Sequence, residues 1–376
     1  MTRWWGNTET GYRRRVRAAQ AGLVVGATVL SACGVPASST EMAVSSSARQ
    51  TGDAVITLSF IGDNILGTDD RFDAGTSLPA RWAAAGNDPA YFFRNVAPIL
   101  RADDLTVANV EVVLSERGQK VDKGTGEFYH FRGSPAVAES LRAGGIEAAT
   151  TANNHTGDYG REGYDDTVAA LRRVGVAPFG DMFDEESDHI AVVKGVKVGL
   201  FGMMTWQDTA QNRESITRHV AGLRARGAQV VIPFMHWGIE SQHVPYEVQT
   251  DLAKHAIDAG ADMVIGSHPH VLQSMAQYKG KLIVYSLANF SFGGNNNPSD
   301  KRTMIVQTRV AVQGPTATRV DYRIVPTRVS STAAYNDFVP TRYEPAESRE
   351  LIAFMNSISP TLNGTIGGDF VRVPTS

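Results

Sequence analysis

The run Gly260-Ala261-Asp262-Met263-Val264-Ile265-Gly266-Ser267-His268-Pro269-His270-Val271 joins an apolar strand pattern to two imidazoles at its end. A buried strand delivers its last residues to one edge of a sheet, where loops gather groups from distant parts of the chain. Gly266 permits a sharp turn there, and Pro269 stiffens the link between His268 and His270. Taken alone, a His-x-His pair fits metal ligation or a hydrogen-bonded pair equally well. The other strand ends decide between them.

Short apolar runs and helical segments alternate along most of the chain. Strand patterns cover Ala54 to Ile61, Leu105 to Val110, Ile146 to Thr151, Ile190 to Val193, Val196 to Gly202, Val230 to Met235, Leu282 to Ser286 and Met304 to Val312. Helical patterns cover Tyr91 to Arg101, Pro135 to Ala143, Tyr164 to Val174, Ile216 to Arg226 and Tyr246 to Ala259. This alternation calls for an α/β protein whose functional loops lie at strand ends. Beyond Val329 the composition shifts to Pro, Ser, Thr and Asn, with one helical candidate at Ala346 to Met355. The tail is expected to pack on the domain or fray.

Five strand ends carry polar groups: Asp63, Asn109 with Glu111, Asn154 with His155, His236, and His268 with His270. Carboxylate, amide and imidazole donors of this kind suit Mn, Fe or Zn, one divalent ion or two. A structural zinc finger is excluded because the chain has a single cysteine. His130 and Arg132 fit either the substrate side of such a site or an edge strand, and Glu240 fits either a partner of His236 or a solvated side chain. Asn109 and Asn289 complete the candidate substrate-binding set, Asn289 either meeting substrate or orienting a ligand. Trp237 either fills the core or walls the pocket. His189, His219, His243 and His255 lie outside any motif and are read as surface or packing residues.

These motifs resemble the CapA (poly-γ-glutamate capsule synthesis) family, whose domain is similar to calcineurin-like metallophosphoesterases. The matching segments are Gly62 to Gly67, Ala108 to Glu111, Ala152 to His155 with Asp158, His236 to Glu240, Gly266 to Val271 and Tyr285 to Phe290, in the family's order. The resemblance implies an α/β sandwich of two mixed β-sheets packed face to face and flanked by helices. It implies Asp63, Glu111, Asn154, His236, His268 and His270 as metal ligands, and His155 with Asp158 as the catalytic pair, His155 serving as general acid or charge stabiliser. The chain departs from a standard phosphoesterase in two places: Asp63-Asn64-Ile65 stands where Asp-x-His is usual, and Glu111 stands where an aspartate is usual. The resemblance further implies a role in a capsule-synthesis complex, either as a hydrolase or as a non-catalytic component. The partner it implies is an anionic cell-envelope polymer such as poly-γ-glutamate.

The N-terminal segment reads separately. Arg13, Arg14, Arg15 and Arg17 precede an apolar run from Ala18 to Leu30, the pattern of a secretory signal. The following Leu30-Ser31-Ala32-Cys33 resembles a bacterial lipobox, which makes Cys33 the lipidation site and the lipid-anchored outer face of the cell membrane the destination. Residues 1–32 are thus expected to be a signal peptide, 33–52 a flexible tether, 53–329 the main domain and 330–376 a C-terminal extension. The formal charge of −3 becomes −7 after removal of residues 1–32, with 31 basic against 38 acidic residues remaining. A mildly acidic domain of this kind is not expected to bind nucleic acid.

Overall fold

The computed structural model describes residues 54–375 except 127, 182 and 184–186. The expected signal peptide, tether and Cys33 lie outside the described residues. No helix among the described residues is long and apolar enough to cross a membrane.

Two mixed β-sheets face each other. The larger has nine strands and runs Thr341–Arg342, Thr316–Arg328, Arg302–Gln313, Ala54–Ile65, Leu105–Val110, Ala148–Thr150, Ala177–Phe179, with Asn289–Phe292 and Val371–Arg372 as side branches. The smaller has six and runs Met275–Tyr278, Lys281–Val284, Met263–Ser267, Val230–His236, Val196–Met204, His189–Val193. Alternation along each strand sorts side chains between layers. Ile56, Leu58 and Phe60 of the larger sheet meet Val198, Ile232, Phe234 and Ile265 of the smaller one in a common core. On the larger sheet's other face, Ile61, Val110 and Ile305 pack with Leu100 and Leu141. The smaller sheet's outer face packs Val231, Met235 and Val264 against Ile216 and Val220 of the helix Ala210–Ala225 and Leu252 of the helix Glu247–Asp258. The result is the expected sandwich of mixed sheets flanked by helices.

Two segments differ from expectation. In place of a helix from Tyr91 to Arg101, only Ala97–Leu100 is α-helical, and turns precede it. Pro98 lacks an N–H, and inside a longer helix its ring would strike the carbonyl of Arg94, so it is tolerated only in the first turn. The long strand Thr316–Arg328 escapes the apolar pattern because Arg319, Asp321, Arg323 and Pro326 interrupt it, yet it pairs with Arg302–Gln313 over nearly its whole length. The tail packs: Leu351, Met355, Leu362, Ile366 and Val373 join the inter-sheet core, and the helix there spans Pro345–Ile358.

Candidate metal centre

The first strand carries a phase change that builds the site. Ile61 pairs with Ala108, and Asp63 pairs with Asn109, so Gly62 is an extra residue bulged out of the ladder. Without it, Asp63 would share the face of Ile61 and point into the helix-covered core. With it, Asp63 lies beside Asn109, which continues the inter-sheet face of Leu105 and Val107. A side chain at residue 62 has no room, since a Cβ there would lie 1.9 Å from the Ala288 carbonyl oxygen. In the smaller sheet, His236 follows Val230, Ile232 and Phe234 on the inter-sheet face, and register places it opposite Ser267. Past Ser267 the chain turns through His268 and His270, with φ of 98° and 57°. Left-handed backbone at non-glycine residues is costly and concentrates at functional sites.

These elements bring five of the six expected ligands into two overlapping groups: Asp63, Glu111 and His236, and Glu111, His268 and His270, with ligand atoms within 4.8 Å of one another in each. Glu111 belongs to both groups. Asn154, the sixth, places its Oδ1 2.6 Å from His236 Nε2. Glu111 Oε1 lies 3.5 Å from His236 Nε2 and 4.0 Å from His270 Nε2, and Asp63 Oδ2 lies 3.3 Å from His270 Nδ1. Asp63, Glu111 and His236 have no exposed surface. Glu111 Oε1 and His268 Nδ1 are buried and have no hydrogen-bond partner among the described residues. Orphaned donors and acceptors are rare in folded proteins, and an oxygen and an imidazole nitrogen aimed into one cluster fit a divalent ion.

Electrostatics agree with that fit. Burial, reinforced by the Asp63 carboxylate, pushes the Glu111 carboxyl well above its usual range. Burial, together with the neighbouring imidazoles, holds His236 and His268 well below theirs, so both present the neutral ring that ligation requires. Burial opposes charge on His270 too, but Glu111 and Asp63 outweigh it and push His270 up to about 10. His270 thus carries positive charge against Glu111 and Asp63, while His236 and His268 stay neutral.

His155 sits at the rim, its Nδ1 2.7 Å from Asp158 Oδ2 and its ring against Phe131. Burial lowers its pKa, outweighing Asp158. Asp158 is itself fixed by the Phe131 N–H at 2.7 Å and by an ion pair with Lys123.

The expected substrate-binding residues divide. Asn109 is fully buried beneath the carboxylates, donating to Asp63 at 2.8 Å and Glu111 at 3.5 Å, so it holds both carboxyl groups and offers no surface to a substrate. Asn289 places its Oδ1 2.8 Å from His270 Nδ1 and donates to the His270 carbonyl, holding the ring in place. Arg132 turns away from the cluster: its guanidinium donates to the carbonyls of Arg117 and Gly118 and lies 3.5 Å over the Tyr159 ring. His130 Nε2 bonds the Val121 carbonyl at 2.7 Å, which commits it to its own loop. Glu240 is exposed and touches the cluster only through its charge. Trp237 fills the core, its indole N–H donating to the Tyr285 carbonyl.

Four further residues shape the site. Ser267 Oγ meets His236 Nδ1 at 3.0 Å, and Asn153 donates to Asn109 Oδ1 while accepting from the His155 N–H. Trp206 sets its ring edge-on to His268, and Lys123 holds Asp158. Asn153 had a signal in its position beside Asn154-His155; Lys123 and Trp206 come from loops without a motif.

Comparison with known proteins follows this geometry. The chain is 31% identical over 224 residues to the capsule biosynthesis protein CapA of Bacillus anthracis, covering 54% of each chain. It is 28% identical over 258 residues to the PGA biosynthesis protein CapA of Bacillus subtilis strain 168, covering 64% of each. The match thus spans between half and two thirds of those relatives' length. Among solved structures, a hypothetical protein from Thermus thermophilus aligns at 16% identity with a TM-score of 0.40, covering 72% of this chain and 99% of that one. The model of the family described as bacterial capsule synthesis protein PGA_cap matches residues 57–294, a span that contains every residue of the two ligand groups. With well over half its length matched, the chain belongs to this capsule-synthesis family.

Proposed function

We propose that this protein is an exported, lipid-anchored envelope protein with a metal-dependent hydrolase site that acts on an anionic polymer such as poly-γ-glutamate. The observation that carries the reading is Glu111 shared between two ligand groups, with His155 and Asp158 beside them. Asp63, Glu111, Asn154, His236, His268 and His270 would hold one or two divalent ions, with Mn, Fe or Zn favoured by the mixed oxygen and imidazole donors. Such ions, when bound, supply Lewis acidity and make water nucleophilic near neutral pH. Asn109 keeps both carboxylates aimed inward, and Asn289 and Ser267 fix the rings of His270 and His236. Asp158 holds His155 by Nδ1, which leaves Nε2 as the nitrogen that, once His155 has taken up a second proton, would hand it to the leaving group of a phosphoester or amide. The names of the Bacillus relatives support a capsule or PGA role, and the Leu30-Ser31-Ala32-Cys33 segment supports lipid anchoring and work within a capsule-synthesis complex at the outer face of the cell membrane.

The test is turnover of poly-γ-glutamate and of generic phosphodiesters by metal-loaded protein, with and without chelator. Hydrolysis should vanish with chelation and fall by about 10²–10⁴ in His155→Ala, the usual contribution of a general acid. A second reading, polymer binding without turnover, draws on Ile65: it stands two residues after Asp63 and is buried in the helix-side core, so no imidazole reaches the cluster from there. Tight polymer binding with no hydrolysis under any metal would select it.

A further inference from the structure

A second cluster of charge lies on the opposite face of the larger sheet. Arg309, Arg323 and Val325 share the face of Ile305, away from the sheet-to-sheet core. Arg309 and Arg323 both lie over the Phe370 ring, at 3.9 and 4.6 Å from its centroid. Arg342 joins them from the edge strand, paired opposite Thr327. The neighbouring arginines on these strands are neutralised: Arg302 by Asp300, Arg319 by Asp321 and Arg328 by Glu347. Arg309, Arg323 and Arg342 have no such carboxylate partner among the described residues. Gln307 Oε1 accepts from Arg323 at 2.6 and 2.9 Å, a neutral contact that leaves its charge uncompensated. Burial and the positive charges of Arg309 and Arg342 disfavour the Arg323 cation, and only Asp369 opposes them.

Arg323 and Arg342 border a cavity of about 230 Å³, walled by Ile99, Val325, Pro326 and Ile352, and Arg309 lies beside Arg323 on the Phe370 ring. It lies where the strand Thr316–Arg328 passes between its two short edge partners, Val371–Arg372 paired at Asp321 and Tyr322, and Thr341–Arg342 paired at Thr327 and Arg328. An apolar recess with guanidinium groups at its mouth matches a carboxylate carried on a short aliphatic stem.

We infer that this recess binds carboxylate side groups of an acidic polymer, as a docking site separate from the metal centre. Arg323 pairs with Gln307, which pairs with Ser59, four residues before Asp63, so the recess is displaced from the metal centre by about 13 Å along the strand and by two strands across the sheet. A polymer held here is retained while another part of it reaches the metal cluster, which raises its effective concentration there. The choice of a γ-linked glutamate chain as ligand rests on the proposed function; the carboxylate pocket does not.

The experiment is calorimetric titration of the full chain with a short γ-linked glutamate oligomer, with glutarate and with inorganic phosphate, at low and high salt and with and without chelator. Arg342→Ala should weaken oligomer binding roughly tenfold, the loss of a charge-assisted contact, while metal content and thermal unfolding stay unchanged, and Arg323→Gln should weaken it likewise with metal content unchanged. Arg342→Lys should recover part of the affinity, because it restores the charge without the planar fork. Glutarate binding that survives chelation and falls in the arginine variants supports the pocket even where the oligomer is never cleaved. Oligomer binding unaltered in the Arg323→Gln/Arg342→Ala double variant overturns the proposal. So does binding abolished by chelator alone, which would assign all affinity to the metal centre. Phosphate binding as tightly as glutarate overturns the carboxylate assignment.

Discussion

Glu111→Gln tests the shared-ligand arrangement most sharply, because the two groups predict different losses for different residues. Asp63 and His236 serve only one group, His268 and His270 only the other, and Glu111 serves both. Asp63→Asn and His268→Ala should therefore each leave one ion per chain, and Glu111→Gln should leave none. The energetic consequence follows from linkage: an ion at about one hundred times its dissociation constant stabilises the fold by about 2.7 kcal/mol, so two contribute about 5 kcal/mol. At roughly 2 °C per kcal/mol for a domain of this size, the metal-dependent rise in Tm is about 10 °C in the parent protein. It should be about half that in Asp63→Asn or His268→Ala and near zero in Glu111→Gln. The substitution changes no volume, and Glu111 Oε1 has no hydrogen-bond partner to lose, so the metal-free Tm serves as an internal control for folding. Elemental analysis after dialysis against Mn, Fe or Zn gives the stoichiometry, and thermal denaturation gives the shift. A Glu111→Gln protein that keeps an ion, or loses no more stabilisation than His268→Ala, refutes the bridging role.

Two further outcomes follow from the fold. Gly62→Ala should destabilise the domain by about 3 kcal/mol, because a Cβ 1.9 Å from the Ala288 carbonyl oxygen must push a strand aside; a urea-denaturation loss well under about 1 kcal/mol would show that the bulge yields. Asp103 should make stability fall with rising pH. Burial, against hydrogen bonds from Ser59 and Thr106, raises its carboxyl to about 7, so the folded chain binds a proton more tightly than the unfolded one. Stability from this group is complete below the unfolded value of 3.8 and is lost as pH rises through about 7. Discounted for partial exposure, the loss is about 2 kcal/mol. Asp103→Asn should remove that difference between denaturation midpoints at about pH 5 and pH 8, and an unchanged difference would locate the proton elsewhere.

Strands whose side chains are buried on both faces were legible because burial leaves a continuous apolar run, as in Val230–His236 and Met263–Ser267. The strand Thr316–Arg328 was not, since one of its faces carries Arg319, Asp321 and Arg323, and polar side chains on a pleated edge read as loop. The ligand types were legible for a related reason: an imidazole or carboxylate closing an apolar strand has no packing role, as with His236 and Asp63. Their facing was harder to read. Simple alternation from Ile56, Leu58 and Phe60 assigns Asp63 to the helix side, and only the one-residue bulge at Gly62, forced by the close approach of Ala288, carries it to the inter-sheet face. The same limit explains the substrate set. Asn109 and Asn289 have amide groups as suited to holding a ligand as to holding substrate, and what separates the two roles is depth, which depends on how the second sheet closes over the first. Of the two readings of Arg132, its place in the short strand Arg132–Gly133 agrees with the strand: proximity in sequence to a motif gives no direction to a long side chain, and the carbonyls of Arg117 and Gly118 with the Tyr159 ring hold it outside the cluster. Under the proposed function, the positive charge that an anionic polymer needs would come from elsewhere, from ions held at Glu111 and from Arg323 and Arg342.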